Sequence, residues 1–183
     1  MSVVVQRRLQ AGRHQHPDDG TCLMEYVSML AGQPFTDAPR CTEPLVAELA
    51  RMVNDGIGEE ARSTLISLAP RLAQLPRVTA LSAPAIVCAA LDAALRGCPG
   101  RTDLLRHRRR ALRRAVAEAA GSGQFAGLRS AFYRYGPARH ALSCAVYVVA
   151  KHSASEAARD TALTTMLEEA MAAGGPARVR VSA

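Results

Sequence analysis

Two cysteines and two acidic residues near the start of the chain have the types and spacing for acid or thiol chemistry: Cys22, Glu25, Asp37 and Cys41. Cys22 lies at a predicted helix start, where free backbone N–H groups and the helix dipole lower the pKa of a thiol. Glu25 follows on the same helix face, and a helix–loop–helix hairpin could fold Asp37 and Cys41 back toward Cys22. These four are the candidate catalytic residues. The alternative is structural: both cysteines are small buried residues, and Glu25 supports the helix cap.

The stretch that holds these residues, 21–55, carries a resemblance. It begins Thr-Cys-Leu-Met-Glu, has Pro-Phe-Thr-Asp-Ala-Pro-Arg-Cys in its loop, and ends Asn-Asp. This stretch resembles uncharacterised proteins of actinobacteria and their phages. It covers 35 of the 183 residues, and the resemblance implies a lineage but no activity.

An arginine-rich helix over residues 104–116 is the second candidate site. Placing residues at 100° intervals puts the apolar side chains of this region on one side: Leu104, Leu105, Ala111, Leu112, Ala115, Val116 and Ala119. The opposite side holds five arginines: Arg106, Arg109, Arg110, Arg113 and Arg114. These could bind an anion or follow the phosphates of a nucleic acid, with the aromatic residues of 132–135 available to stack on bases. The alternative is a solvated face, or one paired with acidic neighbours or a partner subunit, since no nucleic-acid-binding motif accompanies it.

Arg108 is the exception in this helix, because it falls in the middle of the apolar side. A guanidinium there needs a carboxylate, a run of carbonyls or a bound anion. The acidic first third of the chain, with Glu48, Glu59 and Glu60, is the expected source of that partner.

A third candidate site, for zinc or iron, consists of His14, His16 and Asp19. Imidazole and carboxylate groups are good ligands for these ions. The alternative is an ordinary surface loop, because His-x-His followed by a Pro-Asp-Asp-Gly turn is common in such loops. No second pair with metal-ligand spacing accompanies it.

The composition predicts helices and gives no cofactor signature. Alanine, the best helix former, carries much of the apolar fraction, and aromatic residues are only 4%. The five cysteines are irregularly spaced, so we expect free thiols and a cytoplasmic protein. The most apolar window, 78–95, contains Pro84 and Asp92 and is a poor membrane span. No dinucleotide fingerprint, phosphate-binding glycine loop or serine-hydrolase motif is present, so no cofactor is predicted and enzyme status stays open.

Periodicity and capping residues predict an all-α, single-domain bundle of six to eight helices. An irregular arm is predicted at 1–19, the helical domain at 20–175 and a flexible tail at 176–183. The helix at 137–151 is apolar on nearly every side, so we place it near the centre, with a strand at 146–149 as the alternative. The predicted helices lie at 22–30, 43–53 (capped by Thr42), 59–68, 82–96, 102–120, 125–133, 137–151 and from a capping box at 153–156 to about 174.

Charge is unevenly distributed along the chain. Residues 1–60 hold 5 basic and 9 acidic residues, net −4, and the remainder holds 18 and 7, net +11, for +7 overall. Three function classes stay open: a binder of a small-molecule ligand or a small enzyme using the N-terminal hairpin, a nucleic-acid-binding protein using the arginine helix, and a helical interaction module that forms a homo-oligomer. The first is ranked ahead, because sites tend to be built at loop–helix junctions.

Overall fold

The computed structural model describes residues 8–75, 82–120 and 126–175. Within these ranges the chain is helix and loop with no strand, which confirms the all-α bundle and removes the strand alternative at 146–149. In chain order the helices are α1 Leu23–Leu30, α2 Pro44–Gly56, α3 Glu59–Arg62, α4 Ala69–Leu72, α5 Ser82–Gly97, α6 Thr102–Ala120, α7 Ala126–Tyr133, α8 Arg139–His152 and α9 Glu156–Gly174. A 3₁₀ helix, Ser63–Leu68, joins α3 to α4, and one π-helical turn, Arg134–Ala138, joins α7 to α8. None of the described helices has the length and apolar character needed to cross a membrane.

The N-terminal arm is irregular but fixed to the helices from Arg8 onward. Leu9 is buried in the core, and the backbone N–H of Gln10 donates to the carbonyl of Thr21 at 2.9 Å. The Asn54 side chain donates to the carbonyl of Gln10 at 2.8 Å, and the N–H of Gly12 donates to the Asp55 carboxylate at 2.7 Å. The arm therefore packs over the junction of α1 and α2. The first seven residues of the predicted arm and the predicted tail at 176–183 lie outside the described residues.

Helix α2 begins at a different cap from the predicted one. Glu43 is the capping residue, and its Oε2 accepts from the backbone N–H groups of Leu45 and Val46 at 2.6 and 3.0 Å. Thr42 was the predicted cap, but its hydroxyl donates instead to the carbonyl of Leu72 at 2.9 Å and holds the end of α4. Because its carboxylate reaches two free N–H groups, the longer glutamate side chain replaces threonine as the cap.

Helices α5, α8 and α9 form the centre of the bundle. α5 packs against α6, α8 and α9, and α8 also contacts α2. α8 was placed near the centre because it is apolar on nearly every side, yet one part of its surface faces solvent, where Tyr147 is 61% exposed. The predicted capping box of α9 is shifted: Ser155 caps the helix, while the hydroxyl of Ser153 donates to the carbonyl of Val149 and ends α8.

Candidate functional site

Cys22 and Glu25 form a closed capping box at the start of α1, joined by His14 of the arm. The Cys22 sulfur accepts from the Glu25 N–H at 3.5 Å, and the Cys22 N–H donates to Glu25 Oε2 at 2.8 Å. The backbone N–H of His14 donates to Glu25 Oε1 at 2.7 Å, and its ring Nδ1 lies 2.8 Å from Oε2. Glu25 is completely buried. This carboxylate therefore ties the arm to the helix and has no surface left for a substrate.

The ionisation of this junction argues against a thiolate nucleophile. Burial raises the pKa of the Cys22 thiol to about 12, and the Glu25 charge adds to the rise, against smaller lowering effects of the Glu25 and Met24 N–H groups. The prediction that the helix start lowers this pKa is wrong, because burial outweighs the helix end. Burial also raises the pKa of Glu25, but the hydrogen bonds from Cys22 and His14 outweigh it and lower the pKa overall. Glu25 is thus held as a carboxylate next to a protonated thiol.

Asp37 lies near Cys22, and Cys41 lies elsewhere. A small cleft of about 220 Å³ is lined by Cys22, Asp37 and Asp55 together with Arg13 and Arg51. Asp37 Oδ1 is 3.7 Å from Arg13 Nε, and Asp37 Oδ2 is 3.8 Å from Arg51 Nε. Cys41 does not line this cleft and is half-buried, with its sulfur 3.8 Å from the Thr42 hydroxyl. The structure therefore brings Cys22 and Asp37 to one cleft, buries Glu25 next to Cys22, and leaves out Cys41.

A second cleft, of about 250 Å³, shares the ion pair between Arg51 and Glu48 with the first. We call it the arginine cleft. Three guanidinium groups and one carboxylate line it, along with an apolar wall. Its lining residues include Arg51, Arg134, Arg139, Glu48, Pro39, Leu45 and Tyr135. The sequence hypothesis did not single out these arginines, because they come from α2, the π-helical turn and α8.

Two of the cleft arginines reach across to carboxylates at the start of α2, one on its capping residue and one within the helix. Arg134 Nη1 donates to Glu43 Oε1 at 2.5 Å, and this pair is almost fully buried. Arg139 Nη2 donates to Glu48 Oε1 at 2.5 Å, yet half of the Arg139 side chain stays exposed. A guanidinium carries five N–H donors. Arg139 therefore keeps donors available on the cleft side after its pairing with Glu48.

The third arginine of the cleft is held in place by the preceding loop. Arg51 Nη1 donates to the backbone carbonyl of Asp37 at 2.6 Å, and Arg51 Nη2 donates to Glu48. Glu48 thus serves both Arg51 and Arg139. The described lining carries three guanidinium groups and the Glu48 carboxylate, and the carboxylates of Glu43 and Asp37 pair with Arg134 and Arg51 from outside it. The half-exposed guanidinium of Arg139 is therefore the group that is left open to an anion.

The arginine helix, α6, presents a smaller free basic surface than predicted. Arg106, Arg109, Arg110 and Arg113 are exposed. Arg114 instead turns inward, donates to Glu118 at 2.8 Å and lies 5.6 Å above the Tyr133 ring. The predicted row of five arginines is therefore a row of four, which we call the basic face.

The apolar side of α6 is also rotated relative to the prediction. Only Leu104 and Ala111 of this helix are buried, whereas Leu105, Leu112 and Val116 are exposed. The rotation brings Arg108 to α5, where it forms a bidentate ion pair with the Asp92 carboxylate. The prediction of a carboxylate partner is confirmed, but the expected source, Glu48, Glu59 or Glu60, is wrong. Asp92 lies on the helix that packs directly against α6, so it is the carboxylate within reach.

The histidine loop, residues 14–19, does not bring its predicted metal ligands together. The ring of His14 points inward to Glu25, and His16 is exposed with its Nδ1 3.2 Å from Asp18. Among the described residues, three potential ligand atoms converge elsewhere, at His107, His140 and Cys144, all within 4.8 Å of one another. The sequence hypothesis missed this cluster. The sequence does show His140 and Cys144 one helical turn apart, which is a spacing that metal ligands use. His107 lies 33 residues before His140, so the sequence alone does not place it beside them.

No protein-family model, curated protein or solved structure matches this chain. The resemblance of residues 21–55 to actinobacterial and phage proteins stays a prediction.

Proposed function

We propose that this protein binds a small organic anion, a carboxylate or phosphate ester with an apolar body, in the arginine cleft. The observation that carries the proposal is the half-exposed side chain of Arg139, which lies beside two further guanidinium groups in the lining of the cleft. Guanidinium groups bind carboxylate and phosphate through paired N–H donors. Pro39, Leu45 and Tyr135 offer a surface for the apolar part.

The size of the cleft limits the ligand. Its volume of about 250 Å³ is slightly below the roughly 300–1,000 Å³ typical of sites for drug-sized ligands. A single ring or short chain bearing one acidic group therefore fits better than a nucleotide or a peptide. Half of the Arg139 side chain is open to solvent, so this residue is the first contact for the acidic group.

This proposal keeps the small-ligand class expected from the N-terminal hairpin but changes the chemistry. Loop 33–40 still builds the site, since Asp37 holds Arg51 through its carbonyl. Cys22 and Glu25 join the arm to the start of α1 and do not react. We therefore propose a binding protein rather than a thiol enzyme, and we propose the cytoplasm as its location because the five thiols are free.

Titration calorimetry with phenyl phosphate and with benzoate tests this function, with neutral phenol as the control ligand. Arg139→Ala should weaken anion binding at least about tenfold, because a hydrogen bond to a charged group contributes roughly 1.5–3 kcal/mol. Arg96→Ala is the matched control, since Arg96 is also about half exposed and also pairs with a glutamate at 2.5 Å. Absence of anion binding at millimolar ligand, or equal losses in the two variants, would overturn the proposal.

The basic face supports a second function, binding of single-stranded nucleic acid. Arg109, Arg110 and Arg113 form no ion pair with any described residue, and Phe132 and Tyr135 are exposed on the following segment. Affinity for a fluorescent oligonucleotide should fall steeply with salt, because each phosphate contact releases counterions. Arg109→Glu should weaken binding to every sequence alike, whereas Arg40→Glu, an exposed arginine in the α1–α2 loop, should not. No binding at low salt would eliminate this function.

A further inference from the structure

A histidine–cysteine cluster joins α6 to α8 on a part of the surface that does not line the arginine cleft. His107 comes from α6, and His140 and Cys144 come from successive turns of α8. The Cys144 sulfur lies 3.7 Å from His140 Nε2, and the two imidazole rings meet edge to face with centroids 5.2 Å apart. One ligand atom from each of the three residues falls within 4.8 Å of the others.

These separations are close to those of a tetrahedral metal site. Zn–N bonds of about 2.0–2.1 Å and a Zn–S bond of about 2.3 Å place neighbouring ligand atoms roughly 3.4–3.6 Å apart. The edge between His140 and Cys144 already has this length, at 3.7 Å. The other separations lie within 4.8 Å and must shorten by up to about 1.2 Å to fit. A rotation of the partly exposed His107 ring supplies this movement.

A fourth ligand is available on the same helix as His107. Asp103 lies four residues before His107, so the two side chains share one face of α6. Its carboxylate now pairs with Arg101 at 3.3 Å, and both side chains are more than a third exposed, so the carboxylate is free to exchange partners. On binding, the Cys144 thiol gives its proton to solvent, and the thiolate and the Asp103 carboxylate together neutralise a divalent cation. The complex is then neutral and adds no positive charge next to the guanidinium groups of Arg106 and Arg110.

We propose that His107, His140 and Cys144 bind one zinc ion, with Asp103 as the fourth ligand, and that the ion fastens α6 to α8. The packing of α6 gives this role a physical basis, because only Leu104 and Ala111 of its nineteen residues are buried. A bond network through zinc adds a strong link at the N-terminal half of a weakly anchored helix. The proposal does not depend on the anion site.

The test titrates Zn²⁺ and Co²⁺ into the full chain after removal of metal by chelation. We expect one zinc ion to bind per chain and the melting temperature to rise with the zinc concentration. With Co²⁺ we expect a sulfur-to-cobalt absorption band from Cys144. Cys144→Ser, His107→Ala and His140→Ala should each weaken binding by more than the roughly 10–100-fold that loss of an outer-shell partner produces. Since His140 is exposed, His140→Ala keeps the fold and makes the test decisive even if another variant is unstable.

Cys88→Ser and His152→Ala are the matched controls, and both should bind zinc like the parent chain. Retention of the sulfur–cobalt band in Cys144→Ser, or loss of binding in His16→Ala instead, would assign the metal to another thiol or to the histidine loop and overturn the proposal. Asp103→Asn should weaken zinc binding, and an unchanged affinity would overturn the assignment of Asp103. A chain that binds no zinc would overturn the whole inference.

Discussion

The junction of the N-terminal arm with α1 and the outer side of α6 are both rich in ionisable groups, but they use them in opposite ways. At the junction, Glu25 is completely buried and receives hydrogen bonds from Cys22 and His14. On α6, exposed arginines such as Arg109 and Arg113 have no ion-pair partner among the described residues. Buried charges must be paired, whereas exposed charges are solvated by water.

This difference separates stability from binding. Removal of a junction residue leaves a buried partner without its hydrogen bond, so the folded state loses free energy. Substitution of an arginine on the basic face removes a group that water already solvates, so the free energy of unfolding changes little. The junction therefore stabilises the fold, and the basic face and the arginine cleft remain available to bind other molecules.

The largest contrast is expected in thiol reactivity. Since burial raises the pKa of Cys22 to about 12, its thiolate fraction at neutral pH is roughly a thousandfold or more below that of an ordinary thiol of pKa about 8.5. Iodoacetamide should therefore label Cys22 far more slowly than the partly exposed Cys41. Mass spectrometry of the time course measures both rates, and urea should remove the difference. Labelling of Cys22 as fast as Cys41 in the native protein would contradict a buried thiol at this cap.

Glu25→Gln should produce the largest loss of stability. Glu25 accepts hydrogen bonds from the backbone N–H groups of Cys22 and His14 and lies against the His14 ring. Leaving such buried groups without their charged acceptor costs about 1–3 kcal/mol for each group. Urea unfolding measures the change in the free energy of unfolding. Glu156→Gln is the matched control, because Glu156 also lies in the first turn of a helix but is exposed. Similar effects of the two substitutions would show that the junction is no more important than any helix end.

Acid should weaken the junction before it affects the basic face. The pKa of Glu25 is lowered in the folded state, so the folded chain binds fewer protons than the unfolded chain near the normal glutamate pKa of about 4.3. Its stabilising contribution is complete above that value and is lost as the pH falls through the folded pKa. Unfolding free energies measured from pH 7 to pH 3 should therefore fall more steeply for the parent chain than for Glu25→Gln. Parallel curves would contradict this assignment.

Arg108→Leu should have the smallest effect, although Arg108 is also an ion-paired residue. The Arg108–Asp92 pair is more than a third exposed on both sides, and exposed pairs contribute about 0.2–1 kcal/mol. Urea unfolding should show a loss below about 1 kcal/mol, and size-exclusion chromatography should show an unchanged oligomeric state. A loss as large as that of Glu25→Gln would mean that burial does not distinguish the two regions.

The sequence predicted the helices better than their orientation. Helix α6 has the predicted limits, because a threonine starts it and a glycine-rich stretch follows. Its rotation depends on Asp92 of α5, a partner that spacing within α6 cannot show. The prediction of the cap of α9 was wrong for a similar reason. Ser153 and Ser155 are both good capping residues, and the hydrogen bond of Ser153 to the end of α8 decides between them.

The candidate sites were predictable only where their residues lie close together in the sequence. Cys22 and Glu25 are three residues apart, so their capping box follows from sequence, but their burial by the arm does not. The arginine cleft joins Arg51 to Arg134 and Arg139, which are more than eighty residues away along the chain. The cluster of His107 with His140 and Cys144 likewise depends on the packing of α6 against α8.

The π-helical turn between α7 and α8 makes the arginine cleft sensitive to the winding of the helix as well as to residue type. In an ideal α-helix, Arg134 and Arg139 would be about 140° apart around the axis, because five residues turn through about 500°. A π-helical turn uses one residue more than an α-helical turn, and here both arginines reach Glu43 and Glu48 on α2. If this turn were a regular α-helix of the same length, one guanidinium would point away from α2 while both arginines remained in the chain. The winding of this single turn can therefore create or erase the cleft without the substitution of any of its charged residues.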